Sequence, residues 1–190
     1  MPKIVNHEQY KNELLKRSFD CFTSNGYSGL TMRDLAKHLG VSTGTLYHYF
    51  PSKVAIFEQL VEFQADQDLI LASSITKSKS LKRDITAILT LMVENRDYLL
   101  KQNSLWLEFG RQNGFVELLE NAVIARSYKR YRVWLGQFLQ SDDEALITFV
   151  CSYLSGIVMD MNFHPGQFSI ADQSAILVGA ISSRLSRSGG

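Results

Sequence analysis

The sequence has few of the residues that interrupt helices. Only three prolines occur in 190 residues, so long helices can run without a break. It also lacks long apolar runs. No stretch of about 18 consecutive apolar residues occurs, so no membrane span is expected. The opening MPKIVNHEQYKNELLKR is polar, without the apolar stretch of a secretory signal. A marked excess of either charge is missing as well: 20 Lys and Arg stand against 19 Asp and Glu, and the net charge of +1 excludes a polycation. The two cysteines, Cys21 and Cys151, lie far apart inside apolar helical stretches. They read either as buried reduced thiols or as redox-sensing thiols, and the second role needs a lowered pKa. No CxxC or Cys/His spacing is present, and His7, His38, His48 and His164 show no metal-ligand pattern. Glu94, Asp97 and Glu108 form no acid pair, and there is no nucleophile elbow or phosphate loop. No cofactor, no metal and no enzymatic activity are therefore expected.

What is present is helical periodicity nearly throughout, with no alternating strand. Hydrophobic residues make up 45% and charged residues 21%, ordinary for a soluble globular chain. A first helix is expected over 7–25, with Gly26 as its left-handed cap. Thr31 opens a second, with Asp34 completing a variant of the capping box, and Gly40 closes it. A third runs from a Ser42 or Thr43 cap to about Tyr49. Pro51 and Ser52 open a fourth that reaches about residue 74. The basic stretch 76–83 reads as a connector. Further helices are expected over 82–101, 103–112, 114–140, 142–162 and 169–187, about nine in all. His164-Pro165-Gly166 marks a break before the last.

Residues 30–53, LTMRDLAKHLGVSTGTLYHYFPSK, carry the most specific signal. Two short helices joined by Gly40-Val41-Ser42 match a helix-turn-helix, in which the first helix braces and the second enters the DNA major groove. Ala36 is small enough for a close helix crossing. Val41, Leu46 and Phe50 are apolar where the unit must dock. Thr43, Gly44, Thr45, Tyr47 and His48 are left for the outer face. Gly44 costs a helix interior about 1 kcal/mol relative to alanine, but it permits close backbone approach. Lys53 in a first helical turn is unfavourable to the helix dipole unless an anion is nearby. Residues 1–55 hold seven Lys or Arg against four acids, which suits a phosphate-facing surface.

The first fifty or so residues resemble the DNA-binding domain of the tetracycline-repressor (TetR) family. The likeness rests on Phe22 to Tyr27 (F-x-x-x-G-Y), Thr31 to Ala36 (TMRDLA), Gly40 to Phe50 (GVSTGTLYHYF) and the following PSK. It implies an all-α fold in which a three-helix helix-turn-helix domain, residues 1–52, is joined by a long fourth helix to a helical ligand-binding and dimerisation domain, residues 53–190. It implies a cytoplasmic, ligand-responsive homodimeric regulator, usually a repressor, acting on a double-stranded DNA operator with a palindromic sequence. By position, Thr31, Tyr47 and Lys53 would hold phosphates. Arg33, Thr43, Gly44, Thr45 and His48 would lie on or near base edges, with Ser42 at the start of the same helix. Tyr49 either packs or reaches the DNA backbone. The recognition helix contains no Arg, Lys, Asn or Gln, so thymine-methyl contacts and DNA shape are expected to supply much of the specificity.

The last two expected helices are apolar on several sides and interrupted by small residues. Such helices bury more than one face, either within one chain or in a two-fold dimer interface. Tyr153, Gly156, Ile157, Gly179, Ala180 and Ser183 are the candidate dimer residues. An aromatic stripe along 114–140 and its neighbours is either core or a ligand site. Met92, Trp106, Phe109, Tyr131, Trp134, Met159 and Phe163 are the candidates for a pocket that takes a hydrophobic or aromatic effector. Two other readings stand beside this one: a helical small-molecule-binding or scaffold protein whose helix-turn-helix is architectural, and a thiol-based redox regulator.

Overall fold

The computed structural model describes residues 6–164 and 168–188, and every regular element among them is helical. Ten helices follow in chain order: α1 (His7–Asn25), α2 (Met32–Leu39), α3 (Thr43–Tyr49), α4 (Lys53–Ser73), α5 (Leu81–Glu94), α6 (Arg96–Asn113), α7 (Phe115–Glu120), α8 (Ala122–Leu139), α9 (Glu144–Phe163) and α10 (Ile170–Ser188). The all-α expectation holds. The ten helices stand against about nine expected: one asparagine moves the boundary expected near residue 102, and another divides the 114–140 helix, both without proline or glycine. Asn95 ends α5: its amide nitrogen donates to the Leu91 carbonyl at 2.8 Å, and its backbone N–H reaches the same carbonyl. Asn121 divides the expected 114–140 helix into α7 and α8. Its Oδ1 accepts from Val123 and Ile124 N–H groups at 3.0 and 3.2 Å. Asparagine offers the backbone a local alternative to the helical ladder. Pro51 precedes the start of α4 rather than opening it, and Ser52 Oγ accepts the Ala55 N–H at 3.0 Å as its cap. Of the expected 164–166 break, Pro165 and Gly166 lie outside the described residues; α9 ends at Phe163 with His164 as its cap.

The chain divides into two compact units. One combines the residues up to Gln67 with Lys101–Tyr128; the other combines Asp68–Leu100 with Lys129 onward. The 52/53 division marks the end of the helix-turn-helix, whereas compact packing groups the first part of α4, the end of α6, α7 and the start of α8 with α1–α3. In the second unit, α5 lies against α10. Ile85, Leu89, Leu135, Leu146, Val150, Leu177 and Ile181 are buried together there. Asp143 caps α9 and accepts from Arg184 Nε on α10 at 2.6 Å.

Helix α9 is the one described helix long and apolar enough to cross a membrane by length and composition, with a mean hydropathy of 1.4 over Glu144–Met161. The window meets that measure although Thr148, Ser152, Ser155 and Gly156 interrupt it. An apolar helix of this kind also serves a core or a subunit interface, and only one side of it is buried in the single chain. Phe149, Ser152, Ser155, Gly156, Met159 and Phe163 are exposed along the other.

The first unit is organised around Tyr27, in the loop between α1 and α2. Its side chain is fully buried and its ring meets Phe22, Phe109 and Phe57 at centroid distances of 5.0, 5.4 and 5.9 Å. Phe57 of α4 stacks on Phe109 of α6 at 3.8 Å. The polar groups of the loop are held equally tightly. Glu108 Oε2 accepts the Tyr27 N–H at 2.6 Å. Lys53 Nζ donates to the Tyr27 and Leu30 carbonyls, each at 2.9 Å, and sits 4.3 Å from the Tyr27 ring centroid. Gly26 permits this route, since its φ of +79° is one that side chains disfavour. On the other side of the head, the Arg17 guanidinium of α1 donates to the Leu39 carbonyl at the end of α2.

Two substitutions test this core. Phe57→Ala removes a ring shared by α4, α6 and the loop, and the thermal or denaturant midpoint should fall by an amount worth about 3–5 kcal/mol. Lys53→Met keeps the stem but strands two loop carbonyls, and should cost about 1–3 kcal/mol in denaturant unfolding. A Lys53→Met protein as stable as the parent would show that the ammonium does not support the loop.

Candidate nucleic-acid interface

The helix-turn-helix is assembled from short-range bonds that its sequence encodes. Thr31 Oγ1 accepts the Asp34 N–H at 3.2 Å, while Asp34 Oδ2 accepts the Thr31 N–H at 3.0 Å. The Thr31 hydroxyl also donates to that carboxylate at 2.6 Å. These bonds from Thr31, side chain first and backbone second, hold the Asp34 carboxyl below its ordinary pKa. At the other end of α2, Gly40 takes a left-handed conformation with φ +66° and ψ +32°. The Gly40 N–H reaches the Lys37 carbonyl and the Val41 N–H reaches the Ala36 carbonyl, at 3.1 and 3.0 Å. This pair of bonds is a Schellman ending, and it turns the chain at once into α3.

Helix α3 has seven residues, too few to be stable alone. Leu46 and Phe50 hold it, both at 0% exposure. Ser42 is its cap: Ser42 Oγ accepts the Thr45 N–H at 2.9 Å and lies 2.8 Å from Thr45 Oγ1. The opposite face is open. Ser42, Thr43, Gly44, Tyr47 and His48 are exposed, with Tyr47 at 50%. Thr45 and Tyr49 are half-buried. A Cβ added to Gly44 would meet only Ser42 Oγ, at 3.7 Å.

The remaining candidates are placed less simply. Arg33 and Thr31 are exposed on the first turn of α2 and its cap, although the Thr31 hydroxyl proton already goes to Asp34. Lys53 is turned inward; two of its three ammonium hydrogens go to the loop carbonyls, and burial lowers its pKa. Tyr49 packs against α1: its hydroxyl is 3.0 Å from His7 Nδ1, and its ring is 5.6 Å from that of Tyr10. The structural roles of His7, Arg17 and Glu108 are not visible in the sequence. Their partners lie 42, 22 and 81 residues away in the chain, and nothing in local spacing announces them.

The pocket candidates fall in both compact units. Trp106 and Phe109 belong to the first, where both rings lie against Phe57. Met92, Tyr131, Trp134, Met159 and Phe163 belong to the second. There Trp134 stacks on Phe138 at 5.1 Å, and the Tyr131 hydroxyl donates to Asp68 at 2.7 Å. Burial, with the charge of Asp68, raises the Tyr131 pKa far above its ordinary value. Met159 and Phe163 are exposed on α9. Gln64, in the first unit, is 3% exposed, and neither polar end of its amide has a hydrogen-bond partner. A glutamine within a helical stretch gives no sign in the sequence of such burial. Of the dimer candidates, Gly156, Gly179 and Ser183 are exposed, Tyr153 and Ala180 are half-buried, and Ile157 is buried at 5% in the second unit's own core. A Cβ at Gly156 or Gly179 would meet nothing within 4 Å.

Among the described residues, no three His, Cys, Asp or Glu side chains are grouped so as to hold a metal ion. Cys21 and Cys151 are buried, and burial raises both thiol pKa values. A raised pKa depletes the thiolate that redox sensing needs, so the geometry gives no support to a thiol switch.

Comparison with known proteins agrees with this geometry. Residues 14–60 match the bacterial regulatory proteins of the tetR family. The HTH-type transcriptional regulator PksA of Bacillus subtilis is 26% identical over 115 residues, covering 57% of this chain and 54% of PksA. The nucleoid occlusion factor SlmA of Vibrio cholerae is 32% identical over 138 residues, covering 72% of this chain and 64% of SlmA. The chain thus spans less than two thirds of the length of these two relatives. A Rhodococcus sp. structure assigned to the TetR-family transcriptional regulators shares the fold, with a TM-score of 0.69, 20% identity and coverage of 91% of this chain and 96% of that one. Residues 14–60 thus form an N-terminal domain of the tetR family of bacterial regulatory proteins, and the helical fold as a whole is shared with the Rhodococcus sp. regulator.

Proposed function

We propose that the protein is a cytoplasmic DNA-binding transcriptional repressor that acts as a homodimer and is released from its operator by a small-molecule effector. The observation that carries the DNA-binding part is the two-sidedness of α3. Leu46 and Phe50 are completely buried, while Thr43, Gly44, Tyr47 and His48 face outward. An open face on so short a helix is what insertion into the major groove requires. Exposed Arg33 and Lys37 on α2 supply positive charge beside that face, as phosphate contact requires.

Dimerisation is supported by the open side of α9 and α10. Phe149, Gly156 and Met159 on α9, and Ile176, Gly179 and Ser183 on α10, are exposed at helical spacing. The two glycines leave room for a close crossing. A two-fold pairing of these helices would set two copies of α3 against successive major grooves, about 34 Å apart. Effector control is supported by the attachment of α6 to the head. Glu108 and Phe109 of α6 hold the loop that positions α2, so an effector that shifts α6 would shift the recognition surface. It must bind the non-DNA-binding arrangement more tightly, since equal affinity for both states moves nothing. Aromatic and methionine side chains in the second unit, Trp134 and Met92 among them, favour a hydrophobic or aromatic effector.

Selection from a random duplex library with the full-length protein tests the first part. The expected result is an enriched palindrome, bound with an affinity that falls steeply as salt rises. Failure to enrich any sequence would favour the scaffold reading. Sedimentation tests the second: Gly179→Arg should convert a dimer to monomer and lower operator affinity with the helical content unchanged. A dimer that persists in Gly179→Arg would place the interface elsewhere.

A further inference from the structure

The outer face of α3 has an unusual chemical content for a groove-reading helix. From Ser42 to Tyr49 there is no Arg, Lys, Asn, Gln, Asp or Glu. The bidentate readers of guanine and adenine are missing, and so are the carboxylate acceptors that read cytosine. The hydroxyls that remain are partly engaged at the helix start. Ser42 Oγ accepts the Thr45 N–H at 2.9 Å and shares a hydrogen bond with Thr45 Oγ1 at 2.8 Å. This commits the Thr45 hydroxyl to the helix start; the side chain is half-buried, and its γ-methyl is the part that takes no hydrogen bond. Thr43, two residues before it at the very start of α3, is exposed, and Gly44 between them carries no side chain that would hold the backbone off a base pair. Two threonine methyl groups flanking a bare glycine fit the one major-groove feature that is apolar, the C5-methyl of thymine.

Resting on the reading of this protein as a DNA-binding regulator, we propose that Thr43 and Thr45 are specificity-determining residues that recognise thymine through its 5-methyl group. The operator half-sites accordingly carry thymines beneath α3. The two side chains act through contact of methyl with methyl, so what they sense is the presence of one carbon on the pyrimidine ring and not a hydrogen-bonding edge.

The test uses the full-length protein and the duplex recovered by selection, with single thymines replaced by uracil. That change removes the methyl and leaves the base pair intact. Each contacted position should lose about fourfold in affinity, and positions away from α3 should lose none. Thr43→Ser and Thr45→Ser remove the protein methyl but keep the hydroxyl, and at Thr45 the bond to Ser42; these variants should bind thymine and uracil duplexes alike. Thr45→Val keeps a methyl and should keep the discrimination. Because the uracil series needs no protein variant, it stands even where a substitution disturbs the head. Equal binding of thymine and uracil duplexes by the parent protein, with palindrome-specific binding intact, would overturn the methyl readout and leave the DNA-binding reading standing. Failure to bind any duplex would remove both.

Discussion

Tyr27 is held at its backbone N–H, at its carbonyl and on its ring by three different helices. Glu108 of α6 takes the N–H, Lys53 of α4 takes the carbonyl, and Phe22, Phe57 and Phe109 enclose the ring. The residue sits in the short link that feeds α2, so the position of the helix-turn-helix depends on this one fixture. Burying a loop is costly unless its polar groups are matched. Here a carboxylate matches the Tyr27 N–H and an ammonium matches two carbonyls, while the aromatic cluster supplies the apolar burial. The brace comes from about eighty residues downstream of the loop it holds.

From that fixture the recognition surface follows by short-range rules. The capping box at Thr31 starts α2, the Schellman ending at Gly40 turns the chain, and Ser42 starts α3. Helix α3 is short and contains an internal glycine, so little of its stability is its own. Leu46 and Phe50 anchor it to the head, which leaves the other side free of structural duty. Its outward residues are therefore open to selection for contact chemistry alone, and they carry hydroxyls and two aromatic rings around a bare glycine, with no Arg, Lys, Asp or Glu.

Much of the head was legible because its signals are local. Thr31 with Asp34, Gly40, Ser42 and Leu46 announce caps, turn and core within a few residues of one another. The asparagine breaks at 95 and 121 were not legible, since asparagine inside a helical pattern usually remains in the helix and only its side-chain bonding reveals the boundary. Lys53 looked like a phosphate holder from its place at a helix start. Its alternative partners, the Tyr27 and Leu30 carbonyls, are set by tertiary packing. Glu108 gave no sign of its role for the same reason. On α9, periodicity identified a helix apolar on several sides but not which side the chain covers itself; Ile157 faces inward, whereas Gly156 next to it is open.

The account stands on the head and its brace forming one cooperative unit. Amide hydrogen exchange of the full-length protein across a denaturant series measures this directly. Helices α1–α3 should lose protection together with the first part of α4 and with residues 101–113 of α6, at a single free energy of opening. Loss of protection in α1–α3 at lower denaturant, while residues 101–113 remain protected, would contradict it.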